Sequence, residues 1–196
     1  STLYTNCDSE PLKGPNDIVF DAQGGFWFTD HGKNRARDRD RTGVFYALPD
    51  GSQISEAIFP MEAPNGIGLS PDEKELLVAE TPTGRLWAYP LAGPGKVDSG
   101  KTRRLLNGRQ GFYMFDSLAV DANGDVCVAT LMDGGITTLC AADGEPSFVP
   151  MPDRVTTNIC FGGPDLKTAF ITLSSTGLLV SCDWPVAGLP LNFLNH

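Results

Sequence analysis

One phrase recurs four times along the chain, and it restricts the chain to a small set of folds. Pro64-Asn65-Gly66-Ile67-Gly68-Leu69-Ser70-Pro71-Asp72 runs through a turn into Leu76-Leu77-Val78-Ala79-Glu80. Pro15-Asn16-Asp17-Ile18-Val19-Phe20-Asp21 leads through Gly24-Gly25 into Phe26-Trp27-Phe28-Thr29-Asp30. Phe115-Asp116-Ser117-Leu118-Ala119-Val120-Asp121 leads through Asn123-Gly124 into Val126-Cys127-Val128, and Thr157-Asn158-Ile159-Cys160-Phe161 through Gly162-Gly163 into Ala169-Phe170-Ile171. Aligned on the first apolar strand, the preceding polar residues are Asn16, Asn65, Asp116 and Thr157, spaced by 49, 51 and 41 residues. Two apolar strands and a tight turn, repeated every 40–50 residues or so, are the signature of β-propeller blades. The fold expected is all-β.

Composition agrees. Twenty-two glycines and 15 prolines in 196 residues suit short strands joined by many turns, and no segment carries a capped 3.6-residue period. A net charge of −9 argues against a nucleic-acid partner, because phosphate neutralisation needs a basic surface. No apolar run is long enough for a membrane span, and no signal peptide is visible. Cys7, Cys127, Cys140, Cys160 and Cys182 have no zinc-like spacing; they are expected as buried free thiols, which suits a reducing compartment and a cytoplasmic location.

Taken in order, the strands are expected near 17–21, 26–30, 43–48 and 54–59; 66–70, 75–80, 85–90 and 103–106; 117–121, 125–130, 135–140 and 146–150; and 158–162, 168–173 and 177–183. Residues 92–100 are expected as a loop, and the tail from Trp184 to Phe193 as an outer edge strand interrupted by two prolines. Leu3-Tyr4-Thr5 is a strand without a partner that could complete the fourth unit and close a ring of four; the competing arrangement is a larger ring lacking its first blades. The charge-dense stretch from Gly32 to Arg41 is either a solvated loop or a polar lid over a site.

In a propeller the innermost strands run side by side round a central channel, so residues at one repeat position converge. Asn16, Asn65, Asp116 and Thr157 would ring the channel mouth, with Asp17, Gly66, Ser117 and Asn158 beside them. Amide, carboxylate and hydroxyl oxygens are hard donors suited to calcium or magnesium. The same residue types also serve as ordinary turn formers. His31 follows a strand at the presumed channel end, where it could touch a ligand, and His196 is terminal and expected to be solvated.

At Gly14-Pro15-Asn16-Asp17, Pro64-Asn65-Gly66-Ile67, Phe115-Asp116-Ser117, Cys160-Phe161-Gly162-Gly163 and Gly188-Leu189-Pro190-Leu191-Asn192-Phe193 the chain resembles the SMP-30/gluconolactonase (regucalcin-like lactonase) family. The resemblance implies a six-bladed propeller, of which this chain supplies about four blades, and so a single domain over 1–196 that is N-terminally truncated. It implies hydrolysis of sugar-acid lactones or related cyclic esters at one divalent metal, most often Ca2+, with Mg2+, Mn2+ or Zn2+ as other candidates. Carried over by position, Asn65 and Asp116 match metal ligands, Asp116 also the general base, and Asn16 a substrate contact; the segment from His31 to Arg41 falls at the family's lid. Substrate walls are expected from Asn16, His31, Phe112 and Tyr113. Two departures stand out. The family's Glu-Gly-Pro motif, which carries its first metal ligand, is missing, and Gly14 stands where an arginine is frequent. The rival expectations are a non-catalytic propeller that binds a ligand or partner protein, and a metal-free enzyme akin to strictosidine synthase relatives. An incomplete ring would also expose a sheet edge, so self-association is expected.

Overall fold

The structure is a computed structural model that describes residues 2–106, 111–142 and 144–194. Among these residues there is no helix, and hence none that could span a membrane. A short hairpin, β1 (Asn6–Cys7) and β2 (Glu10–Pro11), precedes four antiparallel sheets arranged as propeller blades. The first blade is β3 (Pro15–Phe20), β4 (Phe26–Asp30), β5 (Thr42–Ala47) and β6 (Ile54–Met61), paired in that order. The second is β7 (Pro64–Leu69), β8 (Glu75–Glu80) and β9 (Arg85–Gly93), whose outer side carries both β10 (Lys96–Val97) and β11 (Arg104–Leu105). The third is β12 (Met114–Val120), β13 (Val126–Leu131), β14 (Gly135–Leu139) and β15 (Ser147–Pro150); the fourth is β16 (Thr156–Gly162), β17 (Thr168–Leu173) and β18 (Leu178–Asp183).

Strands such as β4, β5 and β7 are buried along their whole length because both faces of the blade are covered. Trp27, Val44 and Tyr46 pack on Ile67, Leu76 and Val78 between the first and second blades. Leu77, Ala79 and Leu86 meet Phe115, Leu118 and Val128 between the second and third, and Cys127, Ala129 and Ile136 meet Ile159, Ile171 and Leu173 between the third and fourth. The innermost strands β3, β7, β12 and β16 thus lie side by side round a channel. Each inner strand turns into the second strand through positive-φ residues: Gly24, Glu73 and Gly124 in the first three blades, and Gly163 and Leu166 in the fourth. At Asp21 and Asp121 the carboxylate holds that turn by accepting two backbone N–H groups.

Three expectations are corrected. The segment at Leu3–Thr5 does not complete the fourth blade. The outer face of the first blade, with Phe20, Phe26, Phe28 and Phe45, is too apolar to stand in water, and Tyr4, Cys7 and Leu12 cover it. The Tyr4 hydroxyl reaches Leu48 O and Gln53 O at 2.6 and 2.8 Å, fixing this cover. The stretch 92–100 is a loop only in part, since β9 runs on to Gly93 and turns at Gly95 (φ +68) into the two-residue β10. The tail is not an edge strand but a strap beneath the channel. Ala122 N–H donates to Ala187 O and Leu189 N–H to Val120 O, and the Asn192 amide donates to Phe20 O and to Glu73 Oε1 at 3.0 and 2.6 Å. The strap therefore runs from the last blade to the first. The cysteines are all free, but only Cys7 and Cys127 are buried; Cys160 is exposed.

Candidate functional site

All four inner strands carry the same defect at the same place. Pairing of β3 with β4 slips by one residue between Pro15 and Ile18, of β7 with β8 between Pro64 and Ile67, of β12 with β13 between Phe115 and Leu118, and of β16 with β17 between Thr156 and Asn158. Each slip is a β-bulge holding the polar repeat residues: Asn16-Asp17, Asn65-Gly66, Asp116-Ser117 and Thr157. A bulge re-aims side chains out of the sheet's alternation and leaves backbone groups unpaired, and such defects are frequent beside active sites.

Those freed backbone groups tie the blades together. Asp17 N–H donates to Thr29 Oγ1 at 3.1 Å, and the same hydroxyl donates to Asn65 O at 2.7 Å. Ile67 N–H donates to Asp17 Oδ2 at 3.3 Å, and Ile18 N–H to Asp17 Oδ1 at 2.9 Å. The buried Asn65 side chain donates from Nδ2 to Thr81 Oγ1 at 3.1 Å, which turns its Oδ1 toward the Ser117 hydroxyl of the third blade, 3.5 Å away. Gly66 makes this approach possible, because a Cβ there would lie 2.7 Å from Asp116 O and 2.8 Å from Leu118 N. The loops that deliver the bulges are held by buried acids. Asp30 accepts from the N–H groups of Lys13, Gly14 and Gly32, and Glu80 from Glu62 N–H and the Thr83 hydroxyl.

The result is a small, partly desolvated group of oxygens at the channel mouth. Burial pushes the Asp17 carboxyl up to about 6, against the pull of the Ile18 and Ile67 N–H groups and with help from the charge of Asp116. Burial also raises Asp116, while hydrogen bonding from Asn65 and the charge of His31 pull it back. Two carboxyls that are both costly to ionise, beside an amide oxygen and a hydroxyl, are a donor set that fits a hard divalent cation: the ion would remove the cost of ionising them. Among the described residues no three acidic, histidine or cysteine side chains gather at one point, so neutral oxygens would have to make up the rest of a coordination sphere.

The structure thus brings Asn65 and Asp116 together, with His31 near enough to act on Asp116 electrostatically. Asn16 lies on the exposed side of the first bulge. Thr157 turns back into its own blade, bonded to Thr172 Oγ1 and Ser174 Oγ at 2.9 and 3.0 Å. Tyr113 is half-buried and packs on Phe115, ring centroids 5.1 Å apart, beside the core between the second and third blades, while Phe112 is 73% exposed. The segment 32–41 forms its own hairpin, in which Arg35 binds both Asp38 and Asp40. His196 lies outside the described residues. Sequence reasoning gave no role to Thr29 or Thr81, and it named Asp17 only as an accessory. The signal for Asp17 was present, as an acid next to the repeat asparagine.

Residues 1–175 match the SMP-30/Gluconolactonase/LRE-like region, and the chain belongs to that family. It is 27% identical over 184 residues to a diisopropyl-fluorophosphatase of Loligo vulgaris, covering 88% of this chain and 58% of that protein. It is 30% identical over 193 residues to a gluconolactonase of Zymomonas mobilis, covering 89% of this chain and 52% of the relative. A solved structure of a calcium-binding protein, regucalcin, from Agrobacterium tumefaciens shares the fold with a TM-score of 0.74 at 19% identity, over 91% of this chain and 63% of that one. The chain spans about half the length of the curated relatives it matches.

Proposed function

We propose that this chain carries the reacting centre of a divalent-metal-dependent hydrolase that opens lactones. The observation that carries the reading is the pair of bulges that sets the Asn65 and Asp116 side chains together at the channel mouth, with Asp17 beside them. Kinship with a gluconolactonase over most of the chain supports the reaction class. Asn65 Oδ1 and Asp116 would hold the ion, which oxygen chemistry makes calcium before magnesium, manganese or zinc. When bound, a divalent ion supplies Lewis-acid polarisation of a carbonyl and charge for a developing oxyanion.

The chain's own groups do the rest. Asp116 accepts a proton from the water whose oxygen bonds to the lactone carbonyl carbon; the ring C–O bond then breaks, the ring oxygen takes up a proton, and a hydroxy acid leaves. Asn16, exposed at the first bulge, and His31, across from Asp116, contact the substrate. Thr81 is a positioning residue: it holds the Asn65 amide by one hydrogen bond. Five free thiols support a reducing compartment, the cytoplasm.

The test is calorimetric titration of EDTA-stripped protein with calcium, followed by a lactone panel on the loaded protein. One saturable site of micromolar affinity or better, with turnover that EDTA abolishes and calcium restores, is the expected result. Binding without turnover would instead support the non-catalytic propeller, and turnover indifferent to EDTA a metal-free hydrolase. Thr81→Val is expected to weaken calcium binding about 10–100-fold, as losses of residues that orient ligands do. Thr81→Ser restores the hydroxyl and should restore affinity; if Thr81→Val binds calcium as the parent does, Thr81 does not orient Asn65.

A further inference from the structure

One buried hydroxyl stands where the fold itself does not ask for one. β4 reads Phe26-Trp27-Phe28-Thr29-Asp30 and is buried throughout. Thr29 lies opposite the first bulge, since Pro15 pairs with Asp30 and Ile18 with Phe28. By the same count the residues opposite the other bulges are Ala79, Ala129 and Thr172. Ala79 and Ala129 are fully buried like Thr29, so this position packs well with a methyl group alone. The Thr172 hydroxyl bonds to Thr157 within its own blade. Of the four, only the Thr29 hydroxyl reaches into the next blade.

A buried hydroxyl is costly unless hydrogen bonds replace its water. This one accepts Asp17 N–H at 3.1 Å and donates to Asn65 O at 2.7 Å. Both partners are main-chain groups of bulges, one in each of two blades. The first blade takes a further group from the second bulge, because Ile67 N–H donates to Asp17 Oδ2 at 3.3 Å. Asn65 O and Ile67 N–H flank Gly66, so the second bulge is gripped on both sides of that glycine. Gly66 is also where β7 comes closest to the third blade, with Asp116 O 2.7 Å from the place of a Cβ. The grip therefore acts on the main chain that carries Asn65 and abuts Asp116. At the other end of the same residue, Thr81 holds the side-chain amide. Thr29 fixes where Asn65 stands, and Thr81 fixes where its amide points.

We infer that Thr29 is a positioning residue of the ion site: its hydroxyl locks the second bulge, and with it the Asn65 ligand, in register with the first. This rests on the reading of Asn65 as an ion ligand given above. Calcium affinity is then governed in part from the first blade, through a side chain that touches neither ion nor substrate.

Three substitutions at one position test it. Thr29→Val keeps the shape and loses the hydroxyl, and Thr29→Ser keeps the hydroxyl. Thr29→Ala copies the residue of the second and third blades, so the fold already accommodates it. Calorimetry with calcium should give a Kd about 10–100-fold higher in Thr29→Val and Thr29→Ala, the usual loss when a residue that orients a ligand is removed. Thr29→Ser should bind as the parent does. Amide hydrogen exchange followed by NMR on the calcium-free protein supplies a readout without the ion. Exchange at Asp17 and Ile67 should quicken in Thr29→Val and Thr29→Ala and stay parent-like in Thr29→Ser, while the amides of β17 in the fourth blade keep their protection. Calcium affinity unchanged in Thr29→Val, or lost equally in Thr29→Ser, overturns the inference. Protection lost evenly through all four blades does so too, since Thr29 would then serve general stability. If the parent binds no calcium, the hydrolase reading falls by itself and the exchange pattern decides: quickening confined to the bulges upholds the register lock, and unchanged exchange overturns it.

Discussion

Asp116→Ala is expected to remove calcium binding and lactone turnover together while leaving the fold at least as stable as the parent. The two effects separate because of where the carboxyl sits. It is largely desolvated, its ionisation is disfavoured by burial, and its own charge disfavours ionisation of Asp17. A group in that position contributes little to stability, and its removal lets Asp17 ionise more easily. Its proposed chemical roles, by contrast, have no substitute nearby. Asn65 and Ser117 are neutral, and Asp17 already accepts Ile18 and Ile67 N–H groups. Loss of a positioned general base alone costs about 10²–10⁴-fold in rate, and loss of a charged ligand adds to it. Asp116→Asn separates the roles, since it keeps an oxygen donor and the side-chain shape but cannot take a proton. It should retain weakened calcium binding and show no turnover. Urea unfolding, calcium calorimetry and lactone kinetics on both variants give the readouts. Turnover surviving in Asp116→Ala would remove the residue from the mechanism.

The sequence made the architecture plain and the site only partly so, for a definite reason. The blade repeat is written in short apolar runs bounded by turns, and those same residues fill the seams between blades, so strand order and the neighbourhood of Asn65 and Asp116 follow from one pattern. A bulge has no such pattern. It adds one residue without changing the residue types around it, and strands expected to begin at 17, 66 and 117 in fact begin at Pro15, Pro64 and Met114, on the far side of the defect. With the extra residue uncounted, Asn16, Asn65, Asp116 and Thr157 look equivalent. Asn65 and Asp116 meet across the seam, whereas Thr157 finds two hydroxyl partners in its own blade. The strap, the cover at Tyr4 and the contacts of Thr29 and Thr81 join residues far apart in sequence, and no local signal carries them.

Gly66→Ala should be the most damaging small substitution at the seam between the second and third blades, and Gly68→Ala a mild one. Neither glycine has positive φ, so backbone strain does not enter and only space decides. A Cβ on Gly68 would touch the ends of two side chains, Leu118 Cδ1 and Val120 Cγ2, each at 3.0 Å, and side-chain tips can give way. A Cβ on Gly66 would meet Asp116 O at 2.7 Å and Leu118 N at 2.8 Å, which belong to the backbone of the next blade's bulge. To make room, β7 and β12 must move apart at the point where Asn65 and Asp116 meet. Overpacking of this kind costs about 1–3 kcal/mol, or roughly 2–4 °C in Tm per kcal/mol for a chain of this size. The larger effect falls on function: a displacement of about 1 Å between reacting groups can cost about 10²-fold in rate, and calcium affinity should fall with it. Gly68→Ala, two residues on, should lose less than half as much stability and keep calcium affinity within about twofold, because the strain there is taken up by rotamers. Equal damage from the two substitutions would mean that the seam tolerates backbone separation at the bulge, and the close approach of Asn65 to Asp116 would lose its standing as what organises the site.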